Sequence, residues 1–87
     1  MKIIISPRAE KQFRKLPKFD QIAVAQKIRS FSGSSVVGEE KLSGIPYVYR
    51  VRVGMYRIVY HKTRETITIV LIRHRRDVYR LLKELFG

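Results

Sequence analysis

The stretch Tyr47 to Tyr60, Y-V-Y-R-V-R-V-G-M-Y-R-I-V-Y, decides how the chain is read. Apolar and polar residues alternate on both sides of Gly54-Met55, the pattern of two half-buried strands joined by a tight turn. A glycine at the first loop position suits a two-residue type II′ turn. With Gly54 and Met55 as the loop, Val53 faces Tyr56, Arg52 faces Arg57 and Val51 faces Ile58. Side chains alternate along a strand, so Arg50, Arg52 and Arg57 emerge on one face. Tyr47, Tyr49, Val51, Val53, Tyr56, Ile58 and Tyr60 then point the other way, into a core. Guanidinium groups placed directly opposite on a sheet repel each other. The repulsion is roughly 1–3 kcal/mol at about 5.5 Å, for a dielectric between water and protein surface. Fold stability does not select such a triad, whereas a bound polyanion does.

Upstream of the hairpin, Lys2 to Ser6 reads as a short β-branched strand with Ile3, Ile4 and Ile5 buried on both faces. Ser6-Pro7 is an N-cap followed by proline at the first helical position, and Ala9, Phe13 and Leu16 give that helix one apolar stripe. Pro17 ends it. A second helix is expected from an Asp20 N-cap to about Phe31, with Val24, Ala25, Ile28 and Phe31 inside. Ser32 to Pro46 is rich in Gly and Ser and reads as a loop anchored by Leu42 and Ile45.

Downstream, Lys62 to Glu65 makes a turn, and the β-branched run Thr66 to Ile72 is a third, central strand. Arg73-His74-Arg75-Arg76 closes it, and Asp77 caps a last helix lined by Val78, Leu81, Leu82 and Leu85. The order is β-α-α-β-β-β-α. This is one α+β domain over residues 1–87: an N-terminal strand, a two-helix hairpin, an antiparallel three-strand meander and a short C-terminal helix. The helices are expected over one face of the sheet.

Composition narrows the function. Nineteen Lys and Arg against seven acids give a net charge of +12, which favours nucleic acid, an acidic protein or an anionic membrane. No apolar run approaches the length of a membrane-spanning helix, and the apolar stretch after Met1 is too short for a signal peptide. The chain has no cysteine, so disulfides and thiolate metal sites are out, which fits a cytoplasmic protein. Two histidines and scattered acids offer no metal-ligand spacing, and no cofactor is expected. Residues 50–80 hold eight Arg and one Lys against Glu65 and Asp77. Arginine is suited to bidentate phosphate contact, and Tyr79 adds a ring on which a base can stack.

Three segments carry a resemblance: L-S-G at Leu42 to Gly44, Y-R-V-R-V-G-M-Y-R-I-V-Y at Tyr49 to Tyr60, and H-R-R-D-V-Y at His74 to Tyr79. In these motifs and in the order of its elements the chain resembles the RelE/ParE superfamily of toxin–antitoxin toxins, in particular its RelE-like branch. The resemblance implies a ribosome-dependent, metal-independent endoribonuclease that cuts messenger RNA and inhibits translation. The substrate's 2′-hydroxyl attacks the adjacent phosphate, leaving a 2′,3′-cyclic phosphate and a 5′-hydroxyl. Partners are then a cognate antitoxin, the ribosome and messenger RNA, with no membrane.

By the same resemblance, Arg50 and Arg52 match the basic residues of the first hairpin strand, and Arg57 the one that stabilises the phosphorane. Arg75 matches the group at the leaving 5′-oxygen, and Tyr79 the tyrosine that orients the nucleotide. Lys41, Arg73, Arg76 and Arg80 are expected as further RNA contacts. Relatives carry Lys, assigned as general base, where this chain has Arg50, and arginine stays protonated. Either charge and alignment activate the 2′-hydroxyl, or another group takes the proton, with His74 the candidate that titrates best. Arg73 stands where relatives commonly carry Gly, stiffening the turn or adding an RNA contact. Two alternatives are a ParE-like inhibitor of DNA gyrase and a non-catalytic basic RNA-binding module.

Overall fold

A computed structural model of the chain describes residues 2–31 and 36–86. The opening of the expected loop, residues 32–35, lies outside them. The elements are β1 (Lys2–Ile5), α1 (Pro7–Arg14), α2 (Lys18–Arg29), β2 (Glu40–Lys41), β3 (Val48–Val53), β4 (Tyr56–Lys62), β5 (Thr66–His74) and α3 (Val78–Phe86). The strands form one sheet in the order β1-β5-β4-β3-β2. The meander β3-β4-β5 is antiparallel, while β1 runs parallel to β5, and α1 and α2 carry the chain from β1 to β2 at the opposite edge of the sheet.

The β3–β4 hairpin has the expected register, with Val53 opposite Tyr56, Arg52 opposite Arg57 and Val51 opposite Ile58. Gly54 takes a positive φ of 57°. Positive φ at the first loop residue and not at Met55 is the mark of a type II′ turn. Ser6 caps α1, its Oγ accepting from the Ala9 amide at 3.1 Å, with Pro7 at the first helical position. Asp20 does not cap α2: the helix starts two residues earlier, behind Pro17, and Asp20 sits in its first turn. Proline pre-sets the extended entry that a cap residue needs, and no side chain completes it.

Alternation places Val51, Ile58, Tyr60, Ile67, Ile69 and Ile72 on one face, buried against Ala9, Val24 and Phe31. Three expectations about the apolar residues fail. Ile4 and Ile5 are 39% and 43% exposed, because β1 is an edge strand. Tyr47 is exposed and holds a φ of +62°, a strained conformation for a bulky residue, so it belongs to the turn before β3 and not to the core. The helices do not share a face. Val78 and Leu82 of α3 are buried with Val48, Val59 and Leu71 on the opposite side, where Leu42 and Ile45 also pack. Leu85 stays on the exposed rim.

Two local features complete the frame. Within the expected loop, Glu40–Lys41 forms a fifth strand against β3, with Glu40 opposite Arg50 and Lys41 opposite Tyr49. Between Val59 and Tyr60 the β4–β5 ladder carries a bulge that leaves Val70 without a partner. Val70 therefore packs in the α3 cluster and does not share a side with Ile72.

Candidate functional site

The face that carries α3 also carries the arginines. Register sets Arg52 of β3, Arg57 of β4 and Arg73 of β5 opposite one another, so three guanidinium groups cross three adjacent strands in one row. The bulge produces the third member. From the turn, where Lys62 pairs with Ile67, simple alternation puts Arg57 opposite Ile72; the extra residue at Val70 shifts the partner to Arg73. The sequence reading had Arg73 as a peripheral RNA contact, and no period-two pattern shows a bulge.

Arg57 is the buried member, only 9% exposed. Its Nη1 donates to the carbonyls of Tyr56 at 2.9 Å and Gly54 at 3.2 Å, so the turn backbone fixes one end of the guanidinium. Burial lowers its pKa, as do the charges of Arg52, Arg50 and Arg75, with Tyr79 acting the other way. Arginine has enough margin to remain a cation at neutral pH. These influences also locate the group: Arg50, Arg52, Arg75 and Tyr79 all lie within electrostatic reach of Arg57.

Arg50 is held from two sides. Its Nη2 donates to Glu40 Oε2 at 2.8 Å, and its guanidinium carbon lies 5.8 Å from the centre of the Tyr79 ring, within cation–π range. Tyr79, at the start of α3, is about half exposed. The Arg75 amide donates to the Met55 carbonyl at 2.8 Å, which ties the segment after β5 to the β3–β4 turn. Asp77 stands 3.6 Å from Arg73 and 3.5 Å from Arg80. Its carbonyl receives the Leu81 amide, so it begins α3 with its backbone while its carboxylate faces the cations.

The remaining expected residues are not brought into this group. His74 pairs in register with Tyr56, on the face opposite Arg57, and packs edge-on to its ring at 5.6 Å. Its Nδ1 accepts from the Arg76 amide at 3.2 Å. Lys41 shares the Tyr49 side of β2, away from Arg50. Arg76 and Arg80 are exposed beside the cluster, Arg80 paired to Asp77. Sequence reasoning missed Glu40 altogether, because a two-residue strand inside a Gly- and Ser-rich tract leaves no periodic signal.

Such a face suits a phosphodiester. Fixed donors aimed at one place stabilise negative charge as it builds, with little reorganisation. An exposed ring beside them can stack on a base. Among the described residues no three His, Cys, Asp or Glu side chains gather as a metal set would need.

The fold is shared with solved toxins. The RelB–RelE antitoxin–toxin complex from Methanococcus jannaschii is similar at 21% identity and a TM-score of 0.74, over 87% of this chain and 94% of that one. An archaeal RelE–RelB complex from Pyrococcus horikoshii is similar at 23% and 0.73, covering 85% and 93%. The isolated E. coli RelE toxin is similar at 22% and 0.71, over 98% of both chains. At these identities the likeness is one of fold. No curated protein matches the chain in sequence. The family model for the ParE toxin of type II toxin–antitoxin systems (parDE) matches residues 3–79, nearly the whole chain. The chain therefore belongs to this family of type II toxin–antitoxin toxins, within the RelE/ParE superfamily, and carries the RelE fold.

Proposed function

We propose that this toxin cuts messenger RNA on the ribosome, without a metal, and so stops translation. The observation that carries the reading is the gathering of Arg50, Arg52 and Arg75 around the buried Arg57, with Tyr79 beside them. The substrate's 2′-hydroxyl attacks the neighbouring phosphorus. Arg57 and Arg52 balance the charge that develops on the nonbridging oxygens, and Arg75 stabilises the departing 5′-oxygen. Tyr79 stacks on a base and fixes the nucleotide. The products are a 2′,3′-cyclic phosphate and a 5′-hydroxyl. Ribosomal RNA takes up cationic charge beyond the site, and Arg73, Arg76, Arg80 and Lys41 serve it as phosphate contacts. The toxin acts in the cytoplasm, where its substrate is.

An antitoxin holds the toxin inactive by laying acidic residues on this face or by displacing α3, whose Leu85 and Phe86 are partly exposed. The antitoxin–toxin complexes of similar fold support such a partner. Primer extension on messenger RNA in a translating extract tests the reading. New 5′-hydroxyl ends are expected with the protein and not without it; translation that proceeds on uncut messenger overturns it.

A second reading rests on the family match, which is to a ParE model. A ParE-like toxin poisons DNA gyrase and has no use for a phosphodiester site built of arginines. Loss of gyrase supercoiling with translation untouched selects that alternative.

A further inference from the structure

The reaction proposed above lacks a proton acceptor, and the inference that follows rests on that nuclease reading. Arg50 and Arg52 keep their protons at any accessible pH. His74 lies on the opposite face with Nδ1 already engaged. Among the described residues, one carboxylate forms an ion pair with a member of the Arg50, Arg52, Arg57 and Arg75 group: Glu40. Its Oε2 receives Arg50 at 2.8 Å, while its Oε1 takes no hydrogen bond from the described residues. The Glu40 side chain is 57% exposed against 12% for Arg50, so one oxygen is held and the other is open to a substrate.

The neighbouring residue makes the position firm. Glu39 turns to the other face, where it accepts from the Tyr60 hydroxyl and pairs with Lys62 at 2.6 Å. That latch and the two-residue β2–β3 ladder hold Glu40 opposite Arg50. The two groups that act on the nucleophile and on the leaving group also come from different parts of the fold. Glu40 reaches the cluster from the β2 edge, and Arg75 approaches from the β3–β4 turn.

We propose that Glu40 is the general base, held in place by Arg50. Its Oε1 takes the 2′-hydroxyl proton as the freed electron pair forms the bond from O2′ to phosphorus. The bond from phosphorus to O5′ breaks, and its electron pair leaves with O5′. That oxygen, stabilised by Arg75, takes a proton from water, and Glu40 returns its own proton to solvent. Arg50 thereby becomes the residue that positions the base, which accounts for an arginine where a lysine base is expected.

The test is single-turnover cutting by the full chain on ribosomes programmed with messenger RNA, comparing wild type, Glu40→Gln and Glu40→Ala. Glutamine keeps the shape and an oxygen for Arg50, so its thermal midpoint should stay at the wild-type value. Its cutting rate at saturating toxin is expected to fall about 10²–10³-fold, the usual worth of a positioned base, with ribosome affinity unchanged. Formate in the buffer is expected to restore part of the cutting by Glu40→Ala and none of that by Arg57→Ala. Cutting by Glu40→Gln at or above the wild-type rate overturns the proposal and leaves Glu40 a counter-ion of Arg50. Loss in both Glu40 variants with no formate rescue also overturns it. The wild-type arm keeps the two ideas apart: no cutting there removes the nuclease reading itself, before any variant is compared.

Discussion

The two faces of the sheet are built from the same strands by the same alternation, yet they treat charge in opposite ways. On the face packed against α1 and α2, Lys62, Tyr60 and Glu39 answer one another. Lys62 pairs with Glu39 at 2.6 Å and lies 4.4 Å from the centre of the Tyr49 ring, and Tyr60 donates its hydroxyl to Glu39. Tyr60 and Tyr49 stack at 6.0 Å and Phe31 tilts against Tyr60 at 5.1 Å, so the cluster closes over apolar neighbours. On the α3 face, among the described residues, Arg50, Arg52, Arg57, Arg73 and Arg75 meet only Glu40 and Asp77 as ion-pair partners. Val48, Val59 and Leu71 secure α3 beside them without needing any of that charge. One face commits its polar groups to folding; the other keeps an excess of cations, and that excess supports the nuclease reading proposed above.

Adjacent residues on β4 give the sharpest way to break the comparison. Arg57→Ala is expected to lower cutting about 10²–10³-fold, as for the loss of one preorganised donor, while the thermal midpoint changes little. Ile58, fully buried on the other side, should do the reverse. Ile58→Ala should cost about 2–5 kcal/mol from lost contacts and the cavity left behind. A chain of this size loses roughly 4–8 °C of thermal midpoint per kcal/mol. Calorimetry and primer extension on both variants decide the matter. An Arg57→Ala protein that unfolds, or an Ile58→Ala protein that is inactive while fully folded, would erase the distinction between the faces.

Tyr60→Phe should have an intermediate effect on stability. It removes the donor to Glu39, a hydrogen bond to a charged group worth roughly 1.5–3 kcal/mol. Burial, the hydrogen bond to Glu39 and its charge all raise the Tyr60 pKa. Its folded pKa thus lies above the unfolded one, so its share of stability is complete below about pH 10, the ordinary tyrosine value. As pH rises beyond that, the unfolded chain loses this proton while the folded chain keeps it, and stability falls. Denaturant melts from pH 8 to pH 11 should show a steeper alkaline loss in wild type than in Tyr60→Phe. Parallel curves would mean that the hydroxyl is not held as described.

Most of this frame was legible in the sequence, and most of what was missed shares a cause. The hairpin register, the Ser6 cap, the α1 stripe and the anchoring of Leu42 and Ile45 all follow from local pattern. So does the common face of Arg50, Arg52 and Arg57. What stayed hidden depends on pairing between distant strands. Glu40 acquires its meaning only when β2 lies against β3, Arg73 joins the row only through the bulge at Val70, and Ile4 and Ile5 are exposed only because β1 ends the sheet. The burial of α3 on the arginine face was hidden for a different reason. An amphipathic helix announces that it has an apolar side and not which surface that side will cover.

The smallest effect has the most distinctive sign. Arg52 and Arg57 stand directly opposite each other, and Arg52 is exposed while Arg57 is not. Like charges so placed destabilise a sheet by roughly 0.2–1 kcal/mol. Arg52→Gln keeps most of the aliphatic stem and removes one charge, so it should raise the thermal midpoint by a few degrees at most in dilute buffer. At about 1 M salt the Debye length shrinks to about 3 Å and the gain should vanish. The same variant should cut more slowly. A substitution that stabilises the fold while weakening activity marks a residue retained for function at the expense of stability. If Arg52→Gln instead lowers the midpoint in dilute buffer, the row of arginines contributes to folding, and the excess charge on this face needs no ligand to explain it.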